Sequence, residues 1–274
     1  MIHPIVGGEC DRVVVEDGCR IAVHTLRTGG ATIPILFIHA LAMTGEMWRR
    51  VAQQLNVDAS LYAIDCRGHG ESDRAAGPYT TERFAKDIGD VLDHLHAQKV
   101  HLIGCSMGGT VALAFAGRHP ERVASMTIID STACYGENAH LVWDERALRP
   151  RQEGFQAMVP FQVSRWFSEA FAEQEPDLVQ EAVRVFLVND ADAYAETCRM
   201  LGRADERHRL SQYTGPVSVV VGEEDYATPV AMARELVSLL TQAKLTILPK
   251  RRHYTPIECP EEVALAIHAT ILRG

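Results

Sequence analysis

The sequence predicts an α/β chain, a mostly parallel sheet covered on both faces by helices. Three observations predict it. Short apolar runs alternate with segments of helical periodicity along most of the chain, two short strands at the start are separated by a tight turn, and the alternation is broken only once, by a long strandless stretch. The chain has 274 residues, 47% of them hydrophobic and 23% charged, which allows an ordinary core and excludes bulk disorder and a coiled coil. Its 27 Lys+Arg against 36 Asp+Glu give a net charge of −9. That balance argues against a nucleic-acid partner and gives no support for an anionic membrane surface.

Arg12–Glu16 and Arg20–Thr25 read as antiparallel strands around Asp17-Gly18. Ile35–His39 is a buried strand, Glu46–Leu55 a helix and Leu61–Ile64 a strand. Thr80 is an N-cap with Glu82 in the first turn, and Phe84, Ile88, Val91, Leu92 and Leu95 form one apolar face behind it. Val100–Gly104 is a strand, Met107–Arg118 a helix stopped near His119-Pro120, and Val123–Asp130 a strand. The pattern resumes with strands Val217–Gly222 and Thr246–Pro249 and with helices Val230–Leu240 and Glu261–Leu272.

Residues 131–211 read as helices without strands, one of them starting at Pro176, and hold nine of the 18 aromatic residues. The expected organisation is therefore a core formed by residues 1–130 and 212–274, with 131–211 inserted as a helical cap. Most cap aromatics are expected to pack the cap itself, and a few to line a pocket where it meets the sheet.

The sharpest chemical signal is Gly104-Cys105-Ser106-Met107-Gly108-Gly109, a GxSxG at a strand-to-helix junction. The pentapeptide alone is common, and a serine capping an ordinary turn would look the same. Such an elbow lifts the serine hydroxyl above the sheet edge and aims helix N–H groups at an oxyanion. A serine needs a base to take its proton. Of the twelve histidines, only His253 sits in a loop past a late strand and before the last helix. His24 and His101 fall in strands, and His94, His96 and His268 fall on helices. The imidazole needs an acid to fix its tautomer. Asp225, at the tip of GEEDYATP after Val217–Gly222, is the leading candidate, and Asp130, at the end of the preceding strand, is the alternative acid. Cys105 is expected to point away from the pocket.

These motifs together resemble the α/β-hydrolase fold family, in its esterase, lactonase and C–C hydrolase branch. The resemblance spans nearly the whole chain. It rests on His39-Ala40-Leu41 with Trp48, on Asp65-Cys66-Arg67-Gly68-His69-Gly70-Glu71-Ser72-Asp73, and on the elbow. It rests also on Gly222–Asp225 with Thr228-Pro229, and on His253 followed by Glu258-Cys259-Pro260-Glu261. The order Ser–Asp–His is that of the fold. The resemblance implies an oxyanion hole made by the backbone N–H groups of Leu41 and Met107. It departs at Ala40, where the family's glycine is usual. Alanine there means either that the loop needs no positive φ or that its shape differs. Asp65, Arg67 and His69 are expected to hold the turn beneath the site, and His39 to be a structural hydrogen-bonder.

A serine at the elbow implies acyl transfer on a small-molecule ester or lactone, and no motif calls for a cofactor or a metal. The elbow and the Asp65–Asp73 loop look most like 3-oxoadipate enol-lactonase-type enzymes, which act on a carboxylate-bearing lactone. One of the nine arginines of 131–211 can clamp such a carboxylate. Most are expected to be solvated or paired. Arg251 and Arg252, just before His253, either raise the local potential or face water. A C–C bond hydrolase with the same triad, and a triad-bearing receptor with little turnover, stay open. MIHPIVGGECDR has no signal-peptide pattern and no run reaches spanning length, while seven irregularly spaced cysteines give no disulfide or zinc framework, so a reducing cytoplasm fits. Oligomeric state is not legible.

Overall fold

The computed structural model describes residues 9–30 and 32–274. The signal-peptide reading therefore falls, over residues 1–8, outside the described residues. Strands β1 (Cys10–Val14) and β2 (Arg20–Arg27) pair antiparallel, with Val14 opposite Arg20. The first strand ends earlier than expected because Val15 is drawn into the turn: its N–H donates to Cys19 O at 2.9 Å and its carbonyl accepts from Gly18 N–H at 2.8 Å. Strand β3 (Ile35–Ile38) is wholly buried. The single helix expected at Glu46–Leu55 is a 3-10 turn over Gly45–Trp48 continued by α1 (Arg49–Gln54). The tighter turn keeps Met47 and Trp48 buried beside the sheet.

Strand β4 (Leu61–Asp65) precedes α2 (Thr81–His94), whose Thr80 side chain accepts from Arg83 N–H at 3.0 Å as an N-cap. Leu95 ends that helix and His96 lies beyond it at φ 52°, off the helix where the sequence had put it. Strand β5 (Val100–Cys105) runs into α3 (Met107–Ala116), a helix buried on every side. It stops at Gly117, short of Arg118. After β6 (Val123–Ile129), the chain is helical: α4 (Ala139–Trp166), kinked at Gly154, α5 (Glu169–Gln174), α6 (Pro176–Leu187) and α7 (Ala191–Arg203). The core resumes with β7 (Val217–Gly222), α8 (Val230–Leu239), β8 (Ala243–Leu248), α9 (Thr255–Glu258) and α10 (Pro260–Ile271). Strand β8 starts three residues before the expected one and pairs over its full length with β7.

The sheet has eight strands in the order β1-β2-β4-β3-β5-β6-β7-β8. The β1–β2 and β2–β4 pairs are antiparallel and every other pair is parallel. Parallel strands bring their C-terminal ends to one edge, so the turns after β3, β5, β7 and β8 gather there. Buried polar residues tie the same edge from below. Asp65 accepts from Gly45 N–H at 2.7 Å and Glu71 N–H at 2.9 Å, and meets His24 Nε2 at 3.0 Å. Arg67 donates through Nε and Nη2 to both Asp87 oxygens at 2.7 Å, and through Nη1 to Asp17 at 3.0 Å.

Arg67 and Asp87 are 2% and 4% exposed, and Arg83 Nε meets the same Asp87 carboxylate at 3.2 Å, so removing Arg67 takes the two-point grip from a buried carboxylate and leaves it one cation. With Arg83 still on Asp87, Arg67→Met is expected to cost about 2–3 kcal/mol in urea unfolding, the value of lost hydrogen bonds to a charged group. A loss under about 1 kcal/mol would mean that water reaches the pair and screens it.

Candidate active site

The site begins at the β5–α3 elbow. Ser106 has φ 52° and ψ −117°, a conformation that L-residues rarely hold. Glycine is required on both sides by close approach. A Cβ at Gly104 would lie 2.3 Å from Gly108 O, and one at Gly108 would lie 2.1 Å from Ile38 O. The strained turn is fastened by Ser106 N–H donating to Ile129 O at 2.9 Å and by Ser131 Oγ donating to Ser106 O at 2.6 Å.

Ser106, His253 and Asp225 come together from the ends of β5, β8 and β7. Ser106 Oγ lies 2.8 Å from His253 Nε2, and His253 Nδ1 lies 2.8 Å from Asp225 Oδ2. Asp225 also accepts from Ala227 N–H at 2.7 Å, Thr228 N–H at 2.9 Å and Thr228 Oγ1 at 2.8 Å. Burial opposes its charge, but the facing imidazole and the Thr228 donors outweigh burial and hold its pKa below the ordinary carboxylate value. With Nδ1–H directed at the carboxylate, Nε2 is the nitrogen free to accept the serine proton.

Asp130 is not brought to the histidine. Its carboxylate accepts from Gly222 N–H at 2.9 Å and from Thr255 N–H and Oγ1 at 3.1 and 2.6 Å. It thus ties the end of β6 to the end of β7 and to the start of α9. Burial, with the charge of Asp225 beyond it, pushes its pKa well up.

Leu41 and Met107 flank the serine, and neither N–H meets an acceptor among the described residues. The left-handed residue of the loop after β3 is Ala42, at φ 62°, and Ala40 has no positive φ. An alanine at position 40 is therefore tolerated without strain. Asn189 Nδ2 donates to Ala42 O at 3.0 Å, which steadies the loop. His39 lies behind it in a fixed neutral tautomer, with Nδ1–H donating to Ala40 O at 2.7 Å and Nε2 accepting from Cys66 N–H at 2.8 Å. His69 sits against His39 at 5.0 Å, its Nε2 buried without a partner among the described residues. Cys105 is fully buried and does not line the cavity.

Above Ser106 is a cavity of about 530 Å³, lined on one side by Leu41, Ser106, His253 and Tyr226 and on the other by α4 and the segment before it. Three arginines line it. Arg149 pairs with Glu153 at 3.3 Å, and Arg165 donates to Tyr226 O at 2.7 Å. Arg146 has only neutral partners among the described residues: Tyr194 Oη at 2.9 Å, Gln162 Oε1 at 3.4 Å, and the Trp143 ring beneath its guanidinium at 4.9 Å. Most other arginines of 131–211 have a carboxylate, including Arg151 with Asp192, Arg184 with Glu181, Arg199 with Glu196, Arg203 with Asp144 and Arg207 with Asp205. Sequence reasoning missed two lining residues. The Gln162 Nε2 is buried without a hydrogen-bond partner among the described residues, the Tyr135 phenol is buried beside Thr110 and Ser106, and no local motif marks either. Arg251 is partly exposed and meets buried Glu258 at 3.5 Å, and Arg252 is mostly buried and donates to the carbonyls of Ser164 and Phe167.

Among the described residues, no cluster of three or more His, Cys, Asp or Glu is arranged to hold a metal ion, and no helix is long and apolar enough to cross a membrane.

Comparison with known proteins gives the same outline. Residues 33–157 match the alpha/beta hydrolase fold family. The 3-oxoadipate enol-lactonase 2 of Acinetobacter baylyi is 28% identical over 264 residues, covering 96% of this chain and 97% of its own. A 2-hydroxy-6-oxononadienedioate/2-hydroxy-6-oxononatrienedioate hydrolase of Burkholderia vietnamiensis is 25% identical, covering 90% of each chain. Among solved structures, the enol-lactonase from Burkholderia xenovorans LB400 superposes with a TM-score of 0.89 at 27% identity, covering 96% of this chain and 100% of that one.

Burial lowers the pKa of both His39 and His69, the latter from 6.5 to about 3. Both are therefore neutral in the fold, while the unfolded chain takes up protons near 6.5. The unfolded state binds more protons below that pH, so both histidines make stability fall as pH drops below about 6.5, His69 down to about 3, each by at most about 1.4 kcal/mol per unit. The His69 ring resonances should stay flat between pH 8 and 5. Titration of that ring near pH 6.5 would contradict its burial.

Proposed function

Taking as premise that this chain has the α/β-hydrolase fold and resembles the enol-lactonases, we propose that it is a serine hydrolase of small carboxylic esters or lactones that bear a second, anionic group. The observation that carries the proposal is the hydrogen-bonded line from Ser106 through His253 to Asp225, opening into a cavity. In this reading residues 131–211 act as a cap over the nucleophile.

Ser106 Oγ attacks the substrate carbonyl while His253 Nε2 takes its proton. Asp225 keeps the imidazole in the Nδ1–H tautomer and stabilises the imidazolium. The oxyanion of the tetrahedral intermediate is met by the N–H groups of Leu41 and Met107. Preorganised donors of this kind are worth roughly 3–4 kcal/mol each in related chemistry. The imidazolium returns its proton to the leaving oxygen. Water, deprotonated by the same imidazole, then releases the acid and restores Ser106.

The anionic group is argued from Arg146. A guanidinium lining a cavity and bonded only to neutral groups has unused capacity for a planar carboxylate. The Acinetobacter relative is a 3-oxoadipate enol-lactonase, and an enol-lactone of that dicarboxylic acid keeps one free carboxylate. A second reading, cleavage of a C–C bond next to a ketone, is favoured by the Burkholderia vietnamiensis relative and uses the same three residues. It would be preferred if a coloured dienoic acid were turned over while esters stayed inert.

Ser106→Ala and His253→Ala are expected to lower kcat on a short p-nitrophenyl ester by about 10⁴–10⁶. A fluorophosphonate probe should label the wild-type chain at residue 106 and nowhere else, as read by peptide mass spectrometry. Retention of more than about a tenth of the activity in either variant would sink the mechanism. Arg146→Met should raise KM for a dicarboxylic acid monoester by about tenfold or more and leave an uncharged ester of equal length nearly unchanged. Equal losses on both would assign Arg146 to structure alone.

A further inference from the structure

The loop that carries His253 is held by a feature outside the triad. An α-helix ends with carbonyls that have no intrahelical partner. At the C-terminus of α4 these carbonyls are taken up, one after another, by residues 252–254. Arg252 Nη1 donates to Ser164 O at 2.9 Å and to Phe167 O at 3.0 Å. His253 N–H donates to Arg165 O at 3.4 Å, and Tyr254 N–H to Trp166 O at 2.9 Å. The contact is reinforced by rings: Tyr254 stacks on Trp166 at 5.0 Å and 14°. It is reinforced also by buried Glu258, which accepts from Arg252 N–H at 3.2 Å and from Ser168 Oγ.

Arg252 is the one side chain in this set that reaches across to two carbonyls at once. Its guanidinium is 12% exposed and lies over the Tyr226 ring at 5.5 Å, next to Asp225 in the chain. Its acidic neighbours, Glu169 and Glu224, stand farther off, at 3.6 and 3.7 Å. A cation at a helix C-terminus is favoured by the helix dipole, and a two-carbonyl grip fixes direction as well as distance.

We propose that Arg252 is the positioning residue of the base: by capping the end of α4 it fixes the backbone from which His253 reaches both Ser106 and Asp225. The role rests on the serine-hydrolase reading for its consequence in turnover. The positioning itself is a property of the resting protein. The imidazole is held through its ring by two hydrogen bonds, and a loop free to shift by about an ångström would break the alignment that proton transfer needs.

The test compares Arg252→Met with Arg252→Lys in the full chain. Lysine keeps the charge and can reach one carbonyl, whereas methionine keeps only the apolar stem. With p-nitrophenyl butyrate, Arg252→Met should lose about tenfold or more in kcat with KM within about threefold, and Arg252→Lys should recover part of the loss. The decisive readout needs no substrate. The downfield proton resonance of the His253 Nδ1–H···Asp225 bond should be sharp in the wild type, broadened or absent in Arg252→Met, and present in Arg252→Lys. Wild-type kcat in Arg252→Met, or a lost kcat with the resonance intact, would overturn the proposal. If Arg252→Met does not fold, the lysine variant decides: a resonance and kcat equal to wild type would show that the two-carbonyl grip is dispensable. Absence of Ser106-dependent turnover in the wild type would refute the hydrolase reading and leave the resonance result to judge Arg252 by itself.

Discussion

The hydrogen bond between Ser106 and His253 joins residues 147 positions apart, and most of the structure near the sheet edge serves to keep its two ends in place. The ends are held by different means. Ser106 is fixed by its own backbone: a strand and a helix meet at a positive φ, and the two flanking glycines let Gly104 approach Gly108 and Gly108 approach β3. Such a turn cannot relax without disturbing the centre of the sheet. His253 has no element of its own. It stands in a loop between β8 and α9, and a loop holds a side chain to a fraction of an ångström only when something ties it. The ties are many and come from every direction: Asp225 on Nδ1, Asp130 on Thr255, Glu258 on the Arg252 backbone, and the end of α4 on residues 252–254.

How much of this is legible in the sequence follows from the same division. The elbow is local, so five residues in a strand–helix context suffice to read it. Alternation gives the parallel direction of the strands, and with it the gathering of Ser106, Asp225 and His253 at one edge, but not the strand order, in which β4 stands before β3. What is not legible depends on tertiary pairing. Asp130 and Asp225 both end strands in sequence, and only the fold gives one to Thr255 and the other to His253. The conformational demand of the loop after β3 falls on Ala42, two residues from the position where the family pattern directs attention. Arg251 and Arg252 look like a local positive charge in the sequence, because their acceptors are a carboxylate in the next turn and carbonyls from a helix far upstream. Nine arginines between β6 and β7 look equivalent until their partners are known.

Charge is distributed to match. The chain is acidic overall at −9, yet the cavity wall contributed by α4 presents donors: Arg146, the amide of Gln162, whose Nε2 has no partner among the described residues, and, beside them, the buried hydroxyl of Tyr135. Burial pushes the Tyr135 phenol up to about 12, so it stays a donor throughout the neutral range. A buried donor without an acceptor, such as the Gln162 amide, costs stability on the order of 1–3 kcal/mol. Such a cost is consistent with a wall shaped for a ligand rich in acceptor oxygens.

The two halves of α4 link that wall to the base. The kink at Gly154, at φ 76°, turns the helix so that Trp143 and Arg146 on one half face the same cavity as Met158, Gln162 and Trp166 on the other. Gln162 bridges the halves through Arg146 at 3.4 Å, and one turn later Trp166 stacks on Tyr254, the residue after His253. A carboxylate held by Arg146, as proposed, would bear on the same helix whose last carbonyls meet residues 252–254. Under the proposed mechanism, binding energy from a remote part of the substrate then acts on the alignment of the base as well as on residence in the cavity. Energy used in that way is realised in the transition state, and it favours anionic substrates through kcat in addition to KM.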